Sequence, residues 1–162
     1  MKVSNKELLD ISVNIEREAQ AFYEELASHI SEPFITNYFL LMAKDEAHHE
    51  QEFEHILGEK GGQTYGWENS VALRELIDKH FKPGLYPPLE EMLNNLSKFE
   101  DIQKALAISQ KCEELCVKFY RTLRENCEDF ETKALLITLE AEEKSHCGYI
   151  QATINYWKKQ HG

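Results

Sequence analysis

At 162 residues, with 42% apolar and 29% charged side chains, the chain has the length and composition of one globular domain with a sizeable core. Its net charge of −11, with acids spread along the whole length, argues against nucleic acid and anionic membranes as partners, because phosphate binding needs a basic surface. No apolar run nears the roughly 20 residues of a membrane span, and the N-terminus reads directly as amphipathic helix without a signal-peptide core, so a cytoplasmic location is expected.

The first predicted helix covers about residues 4–30, and helical spacing places Leu9, Val13, Glu16, Ala19, Tyr23, Leu26 and Ile30 on its inward stripe. The second covers about 33–57, with Pro33 in the first turn, where a missing N–H costs little. Its stripe is Ile35, Phe39, Met42, Glu46, His49, Phe53 and Ile56. Only a few residues join these helices, so they form an antiparallel hairpin. A breaker-rich stretch of about 41 residues follows, 58–98, holding Gly58, Gly61, Gly62, Gly66, Pro83, Gly84, Pro87 and Pro88. A 24-residue helix is about 36 Å long, so this stretch can cross the full length of a bundle. Within it, 69–81 and 89–99 have the spacing of short amphipathic helices.

The third long helix, about 99–127, carries Leu106, Ser109, Glu113, Cys116, Tyr120, Leu123 and Cys127 on one stripe. The fourth, about 130–159, starts after Asp129 as N-cap and carries Leu136, Leu139, Glu143, His146 and Ile150. The expected organisation is one domain, 1–162, of hairpin 4–57, crossover 58–98 and hairpin 99–159. Such a chain is all-α, a four-helix bundle with pseudo-two-fold symmetry. Cys112, Cys116, Cys127 and Cys147 form no CxxC pair, which excludes a zinc ribbon or rubredoxin-type knuckle. Reduced thiols are expected for all four.

The two hairpins repeat one another. Glu16, Glu46 and His49 recur 97 residues later as Glu113, Glu143 and His146, and Phe22-Tyr23 recurs as Phe119-Tyr120. With Leu9, Ile11, Ser12 and Leu26 this makes nine identities without a gap. The same register aligns His48 with Ser145, so His49 is the inward imidazole and His48 is solvated. Each apolar stripe is therefore interrupted near its middle by a carboxylate, and two also carry an imidazole one turn on. An unpaired buried carboxylate costs several kcal/mol or shifts its pKa until it is neutral. Two divalent cations would balance four glutamates, and mixed oxygen and imidazole ligands suit iron or manganese. Solvated Glu and His residues would instead require the apolar stripes of all four helices to face water.

The segments IEREAQAFYEEL, KDEAHHEQEF, KCEELCVKFYRTL and EAEEKSHCGYI resemble the ferritin-like di-iron carboxylate proteins, and among them the rubrerythrin-like branch. The likeness covers both hairpins and leaves out the crossover. It implies a ferritin-like four-helix bundle holding two iron ions, a site that zinc or manganese could also fill. By position, Glu16 and Glu113 resemble the terminal carboxylates, Glu46 and Glu143 the bridging ones, and His49 and His146 the histidine ligands. Tyr23 and Tyr120 resemble tyrosines that hydrogen-bond across the site, the alternative being ordinary core aromatics.

Two departures from the pattern stand out. Where rubrerythrins proper carry an extra carboxylate, this chain has Cys116, with Ala19 as its symmetry mate. Cys116 is either a redox thiol facing the metals or a small core residue. Rubrerythrins proper also carry a C-terminal rubredoxin domain; none is expected here after the fourth helix, so electrons are expected from a separate donor such as a rubredoxin-like protein. The resemblance implies reduction of hydrogen peroxide or oxygen by a homodimer. The alternatives are ferroxidase activity with iron storage or delivery, oxidation of an organic molecule through an apolar channel, and a metal-binding structural or sensor protein without turnover.

Overall fold

The computed structural model of the protein describes residues 1–58, 63–86 and 99–161. Ser4 caps the first helix, α1 (Asn5–His29), its hydroxyl accepting from the Glu7 N–H at 3.1 Å. Helix α2 begins at the proline expected in its first turn and spans Pro33–Gly58. After the start of the crossover, Ser70 caps α3 (Val71–Leu76), which widens into a turn bonded from residue i to i+5 over Ile77–Phe81, with Lys82 N–H donating to Ile77 O. Helix α4 spans Phe99–Asn126 and α5 spans Phe130–His161. Asp129 caps α5 as expected: its carboxylate accepts from the N–H and hydroxyl of Thr132 at 3.0 and 2.6 Å. The short helix expected over 69–81 is thus present, whereas its companion over 89–99 falls outside the described residues apart from Phe99, which opens α4. Among the described residues there is no strand.

Helices α1 and α2 form one antiparallel hairpin and α4 and α5 the other. The crossover ties them together at one end. Asn5 donates to Gln63 O, Val3 N–H to Glu68 O, the Tyr65 hydroxyl to Ile56 O and Glu128 N–H to Tyr65 O, all between 2.6 and 2.8 Å. Gly66 makes this close approach with φ +107°; a Cβ there would stand 2.5 Å from Asn126 O, so no other residue fits. Further along, Arg74 of α3 grips Glu7 of α1 through two bonds of 3.0 and 2.6 Å.

The core consists of two apolar blocks. One, at the tied end, includes Leu8, Phe53, Trp67, Phe119 and Leu136. The other, at the far end, includes Leu26, Ile35, Phe39, Leu106 and Trp157. The stripes fall inward as expected except at Leu9, which is only half-buried; Leu8 takes the fully buried place beside it. Between the blocks lies a polar layer.

Candidate metal centre

The polar layer is built from the middle of each long helix. It consists of Glu16 of α1, Glu46 and His49 of α2, Glu113 of α4, and Glu143 and His146 of α5, none more than 2% exposed. Their ligand-type atoms form two sets of four, each set lying within 4.8 Å of one another. The first is Glu16, Glu46, His49 and Glu143, and the second is Glu46, Glu113, Glu143 and His146. Glu46 and Glu143 belong to both, while Glu16 and Glu113 belong to one each. All six residues singled out from the sequence are thus brought together. The Glu-x-x-His spacing puts carboxylate and imidazole on one helix face, and the antiparallel crossing brings the two faces into register. His48, by contrast, points outward and meets Glu52 at 3.4 Å.

The inner atoms of the layer lack partners. Glu16 Oε2, Glu46 Oε1, Glu113 Oε2, both oxygens of Glu143, and Nδ1 of His49 and His146 are buried and make no hydrogen bond. Nδ1 of His49 stands 2.8 Å from Glu143, and Nδ1 of His146 stands 2.9 Å from Glu46, without hydrogen-bond geometry. Buried polar atoms are almost always satisfied. Seven converging orphans in two shared sets therefore fit a pair of cations, and four carboxylates fit the charge of two divalent ions.

The outer nitrogens show how the rings are held. His49 Nε2 lies 2.5 Å from Glu142, and His146 Nε2 lies 2.9 Å from Asp45. An ionised carboxylate only accepts, so each Nε2 carries the proton that it donates. A neutral ring then aims the lone pair of Nδ1 into the cluster, the arrangement a histidine ligand requires. The contact crosses between hairpins in both directions: Glu142 of α5 holds a ring of α2, and Asp45 of α2 holds a ring of α5. Sequence reasoning missed this pair. The signal was there, since an acid precedes the shared glutamate in both copies, as Asp45-Glu46 and Glu142-Glu143.

Three tyrosines close the other side. The Tyr23 hydroxyl donates to Glu113, and the Tyr120 hydroxyl donates to Glu16, so each hairpin again supports the carboxylate of the other. Tyr86, from the crossover, places its hydroxyl 3.4 Å from the same Glu113 oxygen and has no counterpart on Glu16. Burial, together with the nearby carboxylates, holds all three hydroxyls well above their ordinary pKa, so they remain donors. Burial and then Glu143 push Glu113 up to about 8 and also raise Glu46. Against burial, contacts with Glu113, His146 and His49 hold Glu143 well below the usual carboxylate range. Burial opposes charge on the two imidazoles too, but the surrounding carboxylates overcome it and raise both. The cluster without cations therefore retains protons that cations would displace. Cys116 is buried among these carboxylates, which with burial raise its thiol far above the ordinary value. It joins neither set of four.

The family profile for rubrerythrin matches residues 7–153. The chain belongs to the rubrerythrin family. Its fold is shared by solved structures of low sequence identity. One, from Thermotoga maritima and described as a ferritin-like diiron-carboxylate protein, is 17% identical with a TM-score of 0.73, over 95% of this chain and 96% of that one. Another, a hypothetical protein from Pyrococcus furiosus, is 22% identical with a TM-score of 0.70, over 98% of this chain and 93% of that one. At these identities the likeness is one of fold, and it bears out the all-α, ferritin-like bundle. No curated protein matches the chain significantly. Membership in the rubrerythrin family and the clustered carboxylates and histidines together point to a di-metal site. None of the described helices is long and apolar enough to cross a membrane.

Proposed function

We propose that the protein is a di-iron oxidoreductase that reduces hydrogen peroxide or oxygen, with electrons from a separate donor protein. The observation that carries this reading is the sharing of Glu46 and Glu143 between two sets of four buried ligand atoms. Two metals held there would have Glu46 and Glu143 in common and would supply the redox and Lewis-acid chemistry for cleaving one O–O bond. Two ferrous ions bound there would supply the two electrons that cleaving the bond consumes.

The residues of the chain do the remaining work. Glu16 with His49 and Glu113 with His146 would each serve one metal, while Glu46 and Glu143 would serve both. Tyr23 and Tyr120 keep their hydroxyl protons and fix the orientation of Glu113 and Glu16. Two protons are needed for each peroxide reduced to water, and the Tyr86 and Tyr23 hydroxyls on Glu113 offer them a path at one half of the site. The two apolar blocks keep bulk water from the layer. The four cysteines are free, which agrees with work in a reducing cytoplasm.

The test is anaerobic loading with ferrous iron, metal analysis, and titration with hydrogen peroxide. Two irons per chain, oxidised by one equivalent of peroxide, are expected. Loaded protein that leaves peroxide untouched and stays reduced would overturn the reading.

A further inference from the structure

A buried hydroxyl inside a helix usually bonds the carbonyl one turn back. Thr122 and Thr153 do so in this chain, at 2.8 Å each, and the buried Thr132 hydroxyl bonds Asp129. Ser12 of α1 and Ser109 of α4 complete the buried hydroxyls of serine and threonine among the described residues, and they behave differently. They are 1% and 0% exposed, yet neither Oγ makes a hydrogen bond. They are also repeat mates, so the same exception occurs at the same place in both hairpins. Buried polar atoms are almost always satisfied, and two matched exceptions call for a ligand.

Their position points to which one. Ser12 stands one turn before Glu16, and Ser109 one turn before Glu113. Helical side chains lean toward the start of their own helix, so each carboxylate lies over the turn that carries the serine. Neither hydroxyl bonds its glutamate directly. Helices α1 and α4 run antiparallel, since Leu8 shares the tied-end block with Leu123 and Leu26 shares the far-end block with Leu106. With Glu16 and Glu113 in one layer, Ser12 comes level with the turn of Cys116, and Ser109 with the turn of Ala19. Short side chains therefore line the seam beside both carboxylates. Tyr120 donates to Oε1 of Glu16 and Tyr23 to Oε1 of Glu113. A carboxylate has about four lone-pair sites, so each can still accept from a water while it serves a cation.

We infer that Ser12 and Ser109 each hold one buried water against the neighbouring glutamate, and that these waters deliver the two protons consumed when peroxide is reduced. Serine hydroxyl, carboxylate and the oxygen of the tyrosine hydroxyl give each water the polar partners that a buried water needs. The proton step rests on the proposed function; the water sites do not. In that step hydrogen peroxide takes two electrons from two ferrous ions and two protons, its O–O bond breaks, and two waters form. Each held water passes one proton to one oxygen of the substrate and is made good from solvent. Tyr86 offers a route to Glu113 alone, whereas the serines give both halves the same one. Ser12 and Ser109 are thus positioning residues.

The experiment uses the full chain. Wild type, Ser12→Ala and Ser109→Ala are loaded with zinc, which is redox-silent, and crystallised. An ordered water about 3 Å from each serine Oγ is expected in the wild type, and each variant should lose the one at its own position. Both variants should keep two zinc ions per chain, since neither serine belongs to a set of ligand atoms. Melting temperatures test the bland alternative of hydroxyls that are merely buried. Alanine would then remove an unsatisfied group and favour the helix, raising the melting temperature by about 2–4 °C. A serine that anchors a water gives no such rise. Iron-loaded ferrous protein should be oxidised by peroxide about tenfold more slowly in each alanine variant and about 100-fold more slowly in the double variant. Ser12→Thr and Ser109→Thr keep the hydroxyl and should restore the rate to within about twofold. The solvent isotope effect on that rate should grow in the alanine variants and stay unchanged in the threonine ones.

A higher melting temperature in both alanine variants, or wild-type crystals with no water at either serine, overturns the water sites. Peroxide rates unchanged by alanine overturn the proton role, and so do rates that fall equally with alanine and threonine, which would report packing alone. Iron-loaded protein that leaves peroxide untouched would overturn the proposed function instead, with the water sites still read from the zinc crystals.

Discussion

The two hairpins supply matching halves of one cluster but are not themselves alike. Each contributes a carboxylate to one set of ligand atoms, a carboxylate to both, an imidazole, an acid behind the other hairpin's ring, and a tyrosine on the other hairpin's glutamate. Away from that layer the match lapses. Glu140 of α5 is buried and held by Arg121, Arg124 and Lys144, where the first hairpin has Ala43. Cys116 stands where the first hairpin has Ala19, and Glu113 alone meets Tyr86. The difference teaches where symmetry is enforced. Every member of the shared layer faces its counterpart across the bundle, so a change in one alters the environment of the other. The crossover touches both hairpins, but its Tyr86 reaches Glu113 and not Glu16, and there the halves are free to differ.

Substitutions in the shared layer should have the largest effect. Glu143→Gln should empty both metal sites, whereas Glu113→Gln should empty one, because Glu143 belongs to both sets of ligand atoms and Glu113 to one. Metal counts near zero and near one per chain are expected, and equal losses would break the distinction. Next come the acids behind the rings. Asp45→Asn and Glu142→Gln should each weaken metal binding about 10- to 100-fold, mainly at His146 and His49 respectively. Competition with a chelator measures this.

Glu140 tests the asymmetry directly. Glu140→Gln should destabilise the fold by about 2 kcal/mol at neutral pH by leaving two buried-facing arginine contacts short of charge. The arginines and Lys144 hold its carboxylate down to about 2 against burial, below the ordinary 4.5. A depressed folded-state pKa gives stability that is complete above about 4.5 and lost as pH falls toward 2. The difference in melting temperature between wild type and Glu140→Gln should therefore be constant from neutrality to about pH 5 and shrink below that. The smallest effect belongs to the one-sided tyrosine. Tyr86→Phe should cost about 1 kcal/mol or less, since its bond to Glu113 is long and Tyr23 still holds the same oxygen. Tyr23→Phe should cost more, and the order of the two melting temperatures checks it.

The layer was readable in the sequence because it breaks a rule twice. Carboxylates at Glu16, Glu46, Glu113 and Glu143 interrupt apolar stripes at helical spacing, and the recurrence at one offset separates design from accident. Caps and breakers such as Pro33 and Asp129 made the helix limits legible for local reasons. Asp45 and Glu142 were not legible, since each is only about two-thirds buried and an acid at such a position is ordinary in a chain this acidic. Tyr86 has no repeat mate, and its contact with Glu113 spans a fold that periodicity does not describe. Leu9 shows the limit of a strict stripe. Leu8 and Leu9 are both leucines, and only packing against the crossover decides which goes inward.

The split core has a consequence for how the protein melts. Each apolar block holds one of the two tryptophans, Trp67 at the tied end and Trp157 at the far end. What joins the blocks across the middle is a layer of buried carboxylates and imidazoles that is held without cations only by the protons it retains, and that cations would bind together directly. The metal-free chain is then built to lose cooperativity, with the end clasped by Tyr65, Gly66 and Glu68 outlasting the other. Bound metal would weld the two into a single folding unit. Single-tryptophan variants would see this as two fluorescence transitions that merge into one.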